Sequence, residues 1–210
     1  MEGKIVITSK TKDGLDFITA SPKPRAFRPG MKEKKGFKIP RKLIIRYLTK
    51  DDAEAMWEYI NVLSKEQTFI TFQGEQISLE DETKYLIGQL ENIKNQKSVQ
   101  LLVFIEKKMV GVSGIEMKAK IEGHVGKFGI SIAKEFRGQG IGKMLMEAVL
   151  NEAKANLPAL KIVELDVFAN NPLAIQLYEK LGFQKFGELP EGVLHRGEYV
   201  GHIYMYKRVR

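Results

Sequence analysis

The chain has 210 residues, 43% of them hydrophobic, which is enough to bury a substantial core as one domain with an appendage. It contains no cysteine, so a disulfide scaffold and a cysteine-borne acyl intermediate are excluded. The net charge of +8 sits wholly in residues 1–42, with twelve Lys/Arg against four Asp/Glu; residues 43–210 hold 22 of each sign.

Within that basic segment, Lys4–Thr8 and Leu15–Thr19 are strand-like runs, and Lys12-Asp13-Gly14 between them suits a hairpin turn. Ser21 to Arg41 is rich in proline, lysine and arginine and reads as an irregular basic linker. Residues 1–42 are therefore expected to form an extension, with 43–210 as the main domain. Such an arm could touch an acidic partner or RNA weakly, or pad a homodimer interface; no base-reading motif accompanies it.

Leu43–Leu48 reads as the next strand. Asp51 is placed to cap a helix running to about Leu63, with Ala55, Met56, Tyr59 and Ile60 on one face. A loop with Phe69, Phe72 and Gly74 follows, then a second helix over Leu79–Lys94. Val99–Ile105 and Met109–Met117 pair as a hairpin around Lys107-Lys108. Phe128–Ala133 alternates as a strand and leads through Phe136 into Arg137-Gly138-Gln139-Gly140-Ile141-Gly142. Beyond it, Ile141, Met144, Leu145, Ala148 and Val149 form one apolar helical face. Residues 161–168 are a strand, 172–181 a helix, and 183–188 with 198–207 a closing hairpin.

The glycine run between strand and helix leaves backbone N–H groups uncovered at the positive end of a helix dipole, a cradle for a pyrophosphate. A P-loop is excluded, because Gly142-Lys143 is followed by Met144 and position 137 is arginine. The dinucleotide fingerprint G-x-G-x-x-G fails as well, since the glycines fall at 138, 140 and 142. The run is similar to the R/Q-x-x-G-x-G/A signature of the GNAT family of N-acetyltransferases. Residues 161–183 resemble the second half of that family's core, N-x-x-A-x-x-L-Y-x-x-x-G-F, on Asn171, Ala174, Leu177, Tyr178, Gly182 and Phe183. The resemblance covers roughly residues 43–207. It implies a mixed α/β fold: a twisted central sheet, mostly antiparallel with a parallel pair at the cofactor site, and helices on both faces. It also implies acetyl-coenzyme A as co-substrate.

With no cysteine, direct attack by the amine in a ternary complex is the simpler route. It requires a held cofactor, a neutral amine, a donor for the developing oxyanion and a proton for the leaving thiolate. The resemblance assigns cofactor holding to residues 137–142, with Arg137 and Lys143 adding charge, so Arg137, Gly138, Gln139, Gly140, Ile141, Gly142 and Lys143 are cofactor-binding candidates. It places the pantetheine arm along the preceding strand, beside the backbones of Ile130 and Ile132, with a main-chain amide near Ile132 as oxyanion donor. Tyr178 becomes the general acid. Asn171, a helix N-cap before Pro172 on any reading, gains a contact to the cofactor arm.

The base stays open among Glu116, on the strand before the glycine-loop strand, His124, at the parity of Ile130 and Ile132 if that strand is regular, and a water relay, with Glu122 and Glu198 behind them. The three histidines, His124, His195 and His202, are scattered and show no H-E-x-x-H pattern, which speaks against a metal site.

The acceptor, a small-molecule amine or a protein amino group, would lie between the loop at 64–78 and the hairpin at 193–202. Many relatives carry an acidic residue after Tyr-Val in that hairpin, where this chain has Gly201-His202. The alternative is a coenzyme A-binding interaction module working through its basic arm. No apolar stretch approaches membrane-helix length and Met1-Glu2-Gly3-Lys4 opens no long apolar run, so no membrane partner and a cytoplasmic setting are expected.

Overall fold

The computed structural model describes residues 43–209 in full, together with the backbone of Lys4–Thr11, Gly14–Ile18 and Lys42. The elements run β1 (Lys4–Thr11), β2 (Gly14–Ile18), β3 (Lys42–Tyr47), α1 (Ala53–Lys65), α2 (Leu79–Lys94), β4 (Ser98–Ile105), β5 (Lys108–Met117), β6 (Val125–Ile132), α3 (Ile141–Asn156), β7 (Ile162–Phe168), α4 (Pro172–Lys180), β8 (Gln184–His195) and β9 (Glu198–Arg208). They build one sheet in the order β2-β1-β3-β4-β5-β6-β7-β9-β8. Two neighbouring pairs are parallel, β1 with β3 and β6 with β7; the others are antiparallel.

Strand β4 shows why both faces are covered. All eight of its residues are buried, as expected of a strand with helices above and below. Val99, Leu101, Val103 and Ile105 point into a core shared with Leu145, Met146 and Val149 of α3. Leu102 and Phe104 point the other way, into a smaller core with Met56, Tyr59 and Leu63 of α1 and Leu86 of α2. The period of two in the strand meets the 3.6 period of a helix stripe on each side.

Two local expectations change. Asp51 is exposed, and Asp52 is the N-cap position of α1 but makes no side-chain bond to that helix: its carboxylate turns back to accept from the Thr49 N–H at 2.7 Å and hydroxyl at 2.9 Å, and from Arg46 at 2.6 and 2.7 Å. A short 3-10 turn over Lys50–Asp52 precedes α1, so the cap falls one residue later. The closing hairpin is also longer than the apolar pattern suggests, because β8 continues to His195 and turns at Arg196-Gly197, both with positive φ. Irregular register between Leu189 and Val193 breaks the alternation that would have revealed it. The predicted hairpin turn at Lys12-Asp13 and the linker after Ile18 lie outside the described residues.

The feature that positions the site is the short reach of the β6–β7 pair. Only Val125–Lys127 pair with Ile162–Glu164. From Phe128 on one strand and Leu165 on the other, no pairing continues, while both strands remain bonded to their outer neighbours, β5 and β9. The sheet is split there along its middle.

Candidate functional site

The split exposes main chain of known direction. The Ala133 N–H donates to the Val110 carbonyl, on the β5 side. Alternation then turns the backbone polar groups of Phe128, Ile130 and Ile132 toward the split. The His124 carbonyl, of the same parity, accepts from Lys161 and Ile162 on the β7 side. The side chains of Ile130 and Ile132 pack, partly buried, against the larger core.

At the end of β6 the chain enters the glycine loop. Gly138 and Gly140 hold φ of +73° and +83°, a region L side chains rarely adopt. Gly140 is the N-cap of α3 and brings no capping side chain. Arg137 N–H donates to Lys134 O and Met144 N–H to Gly140 O; the N–H groups of residues 138–143 between them make no hydrogen bond among the described residues. The first turn of α3 contains no acidic side chain to offset the dipole. Ile141 buries its side chain in the core and contributes backbone alone.

The charges flanking this loop are committed elsewhere. Arg137 donates from Nε to the Ile132 carbonyl at 2.7 Å and pairs with Glu66, the C-cap of α1, at 2.7 Å. It fixes the loop to the end of β6 and to α1. Lys143 pairs with Glu147 one turn along α3 at 3.0 Å, and the Gln139 amide donates to Glu135 O at 2.7 Å. The cradle is therefore made of backbone dipoles, with arginine as its brace.

Beyond the split stands α4. Asn171 Oδ1 accepts from the Ala174 N–H at 3.3 Å and caps the helix, with Pro172 at its first position. Tyr178 is 8% exposed and packs edge-on against Phe128, ring centroids 6.4 Å apart. Burial pushes its phenol up to about 12, so it keeps its proton at neutral pH. Both residues line a cavity of about 850 Å³ that runs through the split to the opposite face of the sheet.

On that opposite face the cavity lies under α1, α2 and the loop joining them. Its floor includes Gly129, where a Cβ would meet nothing within 4 Å. Ser131 beside it bonds the Tyr59 hydroxyl of α1 at 3.0 Å. The loop is pinned to α1 at one end: Ile77 exchanges hydrogen bonds with the Asn61 amide, and Ser64 donates to Glu75 O at 2.6 Å. At the other end the Gln67 carbonyl accepts from His195 Nε2 and Arg196 Nε, each at 3.1 Å. Since a carbonyl only accepts, His195 carries its proton on Nε2, which leaves Nδ1 to accept from Asn170 at 3.2 Å. The His195 ring is 3% exposed and stacks between Phe69 and Phe168. These contacts bring together the two segments expected to frame the acceptor.

The two proposed bases part company here. Glu116 lines the cavity on β5, opposite Lys127, and takes a long 3.5 Å bond from Gln89. His124 does not line it. The strand starts one residue later, at Val125, so His124 is an exposed residue before the first β6–β7 pair, at the closed end of the split. The parity argument placed it on the right strand but ignored distance along it.

A cluster that sequence reading passed over lies on the cavity floor. His202 Nε2 bonds Asp166 Oδ2 at 2.8 Å, Lys127 pairs with the other oxygen of Asp166, and the Tyr204 hydroxyl sits 3.4 Å from His202 Nδ1. Burial, and then the Lys127 charge, hold the His202 imidazole below its ordinary value. The four come from β6, β7 and β9; the register pairs Asp166↔Tyr204 and Phe168↔His202 set the last two strands' members side by side, and only shared parity within each strand was visible in the sequence. At the position after Tyr-Val, a Cβ on Gly201 would meet only the movable carboxylate end of Glu188 and, more loosely, Ala169.

Comparison with known proteins points to one family and fold. A family model described as the acetyltransferase (GNAT) family matches residues 57–183. The chain is similar to the L-amino acid N-acetyltransferase AaaT of Escherichia coli, 33% identical over half of this chain and 65% of that protein. It thus spans a little under two thirds of that relative's length. Among solved structures, an acetyltransferase of the GNAT family from Streptococcus pneumoniae superposes with a TM-score of 0.73 at 26% identity, over 80% of this chain and 99% of the other. The yncA structure from Salmonella typhimurium, which holds its cofactor acetyl-CoA, matches in fold with a TM-score of 0.69 at 15% identity, over 80% and 94%.

Proposed function

The chain belongs to the GNAT acetyltransferase family, whose model spans more than half of it, and from that premise we propose that it is an acetyl-coenzyme A-dependent N-acetyltransferase acting on a primary amine. The observation that carries the proposal is the row of unbonded N–H groups at residues 138–143, set beside the split between β6 and β7. A pyrophosphate needs several convergent donors and a positive dipole, and both are present. Bound acetyl-coenzyme A would supply an activated acyl carbon and a thiolate leaving group.

The chain's own residues divide the remaining tasks. Gly138 to Lys143 offer main-chain donors to the pyrophosphate, and the edge of β6 at Ile130 offers strand-like bonds to the pantetheine amides. A main-chain N–H near Ile132 donates to the carbonyl oxygen as charge develops on it. Tyr178, protonated at neutral pH, gives its proton to the departing sulfur. Asn171 holds the start of α4 and with it the height of Tyr178. The absence of any cysteine supports direct transfer in a ternary complex.

The acceptor enters from the face under α1 and α2. A small-molecule amine, an amino acid, or a protein amino group fits the size of the cavity. In this reading residues 43–210 are the catalytic domain and 1–42 a basic extension, whose concentrated charge would meet an acidic partner or RNA in the cytoplasm. That charge also favours a second reading, a coenzyme A-binding interaction module with little turnover.

Calorimetric titration with acetyl-coenzyme A, followed by thiol-release assays with L-alanine, spermine and a heptapeptide with a free amino terminus, separates the readings. Micromolar binding with turnover of one amine supports the enzyme. Binding without turnover of any favours the module, and no binding refutes both.

A further inference from the structure

We propose that His202, held by Asp166, is the group that takes the proton from the acceptor ammonium. The inference rests on the acetyltransferase reading above and names a residue that reading leaves unassigned.

The register sets its position. Glu116 faces Lys127, and Lys127 pairs with Glu164, the last pair before β6 and β7 part. His202 faces Phe168, four residues further along β7, about 13 Å at strand rise. It therefore stands beside the open half of the split, level with the Ile130 and Ile132 backbone, while Glu116 stands at the closed end. His202 lines the same cavity as Tyr178, which reaches the split from α4. An amine entering beneath α1 and α2 would have the imidazole on its own side of the sheet and the phenol across the split.

The hydrogen bonds decide which nitrogen is basic. Asp166, as a carboxylate, can only accept, so the ring proton belongs on Nε2 at the 2.8 Å contact. The lone pair is then on Nδ1, next to the Tyr204 hydroxyl at 3.4 Å, a weak contact that an incoming ammonium can replace. In the step, an N–H bond of the ammonium breaks, its electron pair stays on the amine nitrogen, and the proton forms a new bond to Nδ1. The imidazolium so formed is stabilised by Asp166 on its far side, and it returns the proton to water.

The charged groups beside the ring are Asp166 on β7, which it bonds, and Lys127 on β6; Glu164 on β7 and Lys118, just past the end of β5, act in turn on Lys127. Lys118 is bridged by Glu164 and Glu122, and Lys127 by Asp166. Burial, and then the Lys127 charge, disfavour a positive charge on the ring and hold it below the ordinary imidazole value, which favours the form with a free lone pair.

Long-range proton–nitrogen NMR of the histidine rings tests this without turnover. The chain has three histidines, and His202→Gln identifies the signal by its loss. The expected result is a neutral ring protonated on Nε2, titrating below about 6.5, with a midpoint that falls further in Asp166→Asn. A ring protonated on Nδ1, or a midpoint unmoved by Asp166→Asn, overturns the proposal. In thiol-release assays with the same three amines, His202→Gln should lose roughly 100-fold in kcat/KM, together with the acid limb of the pH profile, at unchanged acetyl-coenzyme A affinity. A kcat/KM within twofold of the unaltered protein overturns it. If the unaltered protein acetylates none of the three, the enzyme reading suffers, and the NMR result still decides the state of His202.

Discussion

Helices α2 and α3 each have sixteen residues, and they differ most at their first turns. Ser78 begins α2 in an extended conformation and accepts the Asp81 N–H on its hydroxyl at 3.1 Å, with Glu80, Asp81 and Glu82 set against the dipole. Gly140 begins α3 in a left-handed conformation, with no side-chain cap and no acid in the first turn. One terminus is satisfied by its own sequence and only stabilises; the other leaves its donors unbonded, and in the proposed function a ligand takes them. The same backbone physics gives a structural end or a binding end, according to whether a hydroxyl and three carboxylates are present.

The harshest test of that contrast is Gly140→Asp. It sets a carboxylate into the cradle at a φ of +83°, and acetyl-coenzyme A affinity should fall more than about 100-fold by calorimetry. Retained affinity would mean the α3 terminus is no different from that of α2. Tyr178→Phe should lower kcat by roughly 100-fold while the titration curve for acetyl-coenzyme A stays in place. A loss of affinity instead would make Tyr178 a packing residue.

The phenol also gives a pH signature. Its native value is raised from 10.0 to about 12, so its contribution to stability is complete below pH 10 and is lost as pH rises toward 12. Unfolding free energies of the protein minus those of Tyr178→Phe, from denaturant titrations, should therefore decline over that window, by no more than about 3 kcal/mol. A flat difference would mean the hydroxyl is solvated.

Ser78→Ala should cost about 1 kcal/mol of stability and leave acetyl-coenzyme A affinity unchanged, which sharpens the division between the two termini. The smallest effect is expected from removing residues 1–40. Strand β1 pairs with β3, on the far side of β4 and β5 from the split, and affinity should stay within about twofold. A large loss would tie the basic segment to the site.

Local chemistry made much of this legible in the sequence. The Leu79–Lys94 helix follows from a serine cap and an apolar stripe. The glycine loop announces the start of α3, because only a run of glycines reads as a turn with bare amides. Asn171-Pro172 marks the start of α4 in the same way. What escaped depends on register between distant segments. The bond between His202 and Asp166 joins residues 36 apart, and the Arg137–Glu66 brace joins residues 71 apart. His124 lies away from the cavity because alternation gives the face of a strand and says nothing about how far along the strand its neighbour stays paired.

The sequence by itself determined the glycine-rich, uncapped start of α3, the capped helices, the alternating strands and the concentration of charge before residue 43. Each of these is written in residues within a few positions of one another, where backbone sterics and local hydrogen bonds act. Tertiary structure alone decided where β6 and β7 part, that Arg137 serves as a brace, and that Asp166 fixes the tautomer of His202. Those depend on which strands lie side by side and how far they stay paired. Burial of both sheet faces sets that for the whole chain at once.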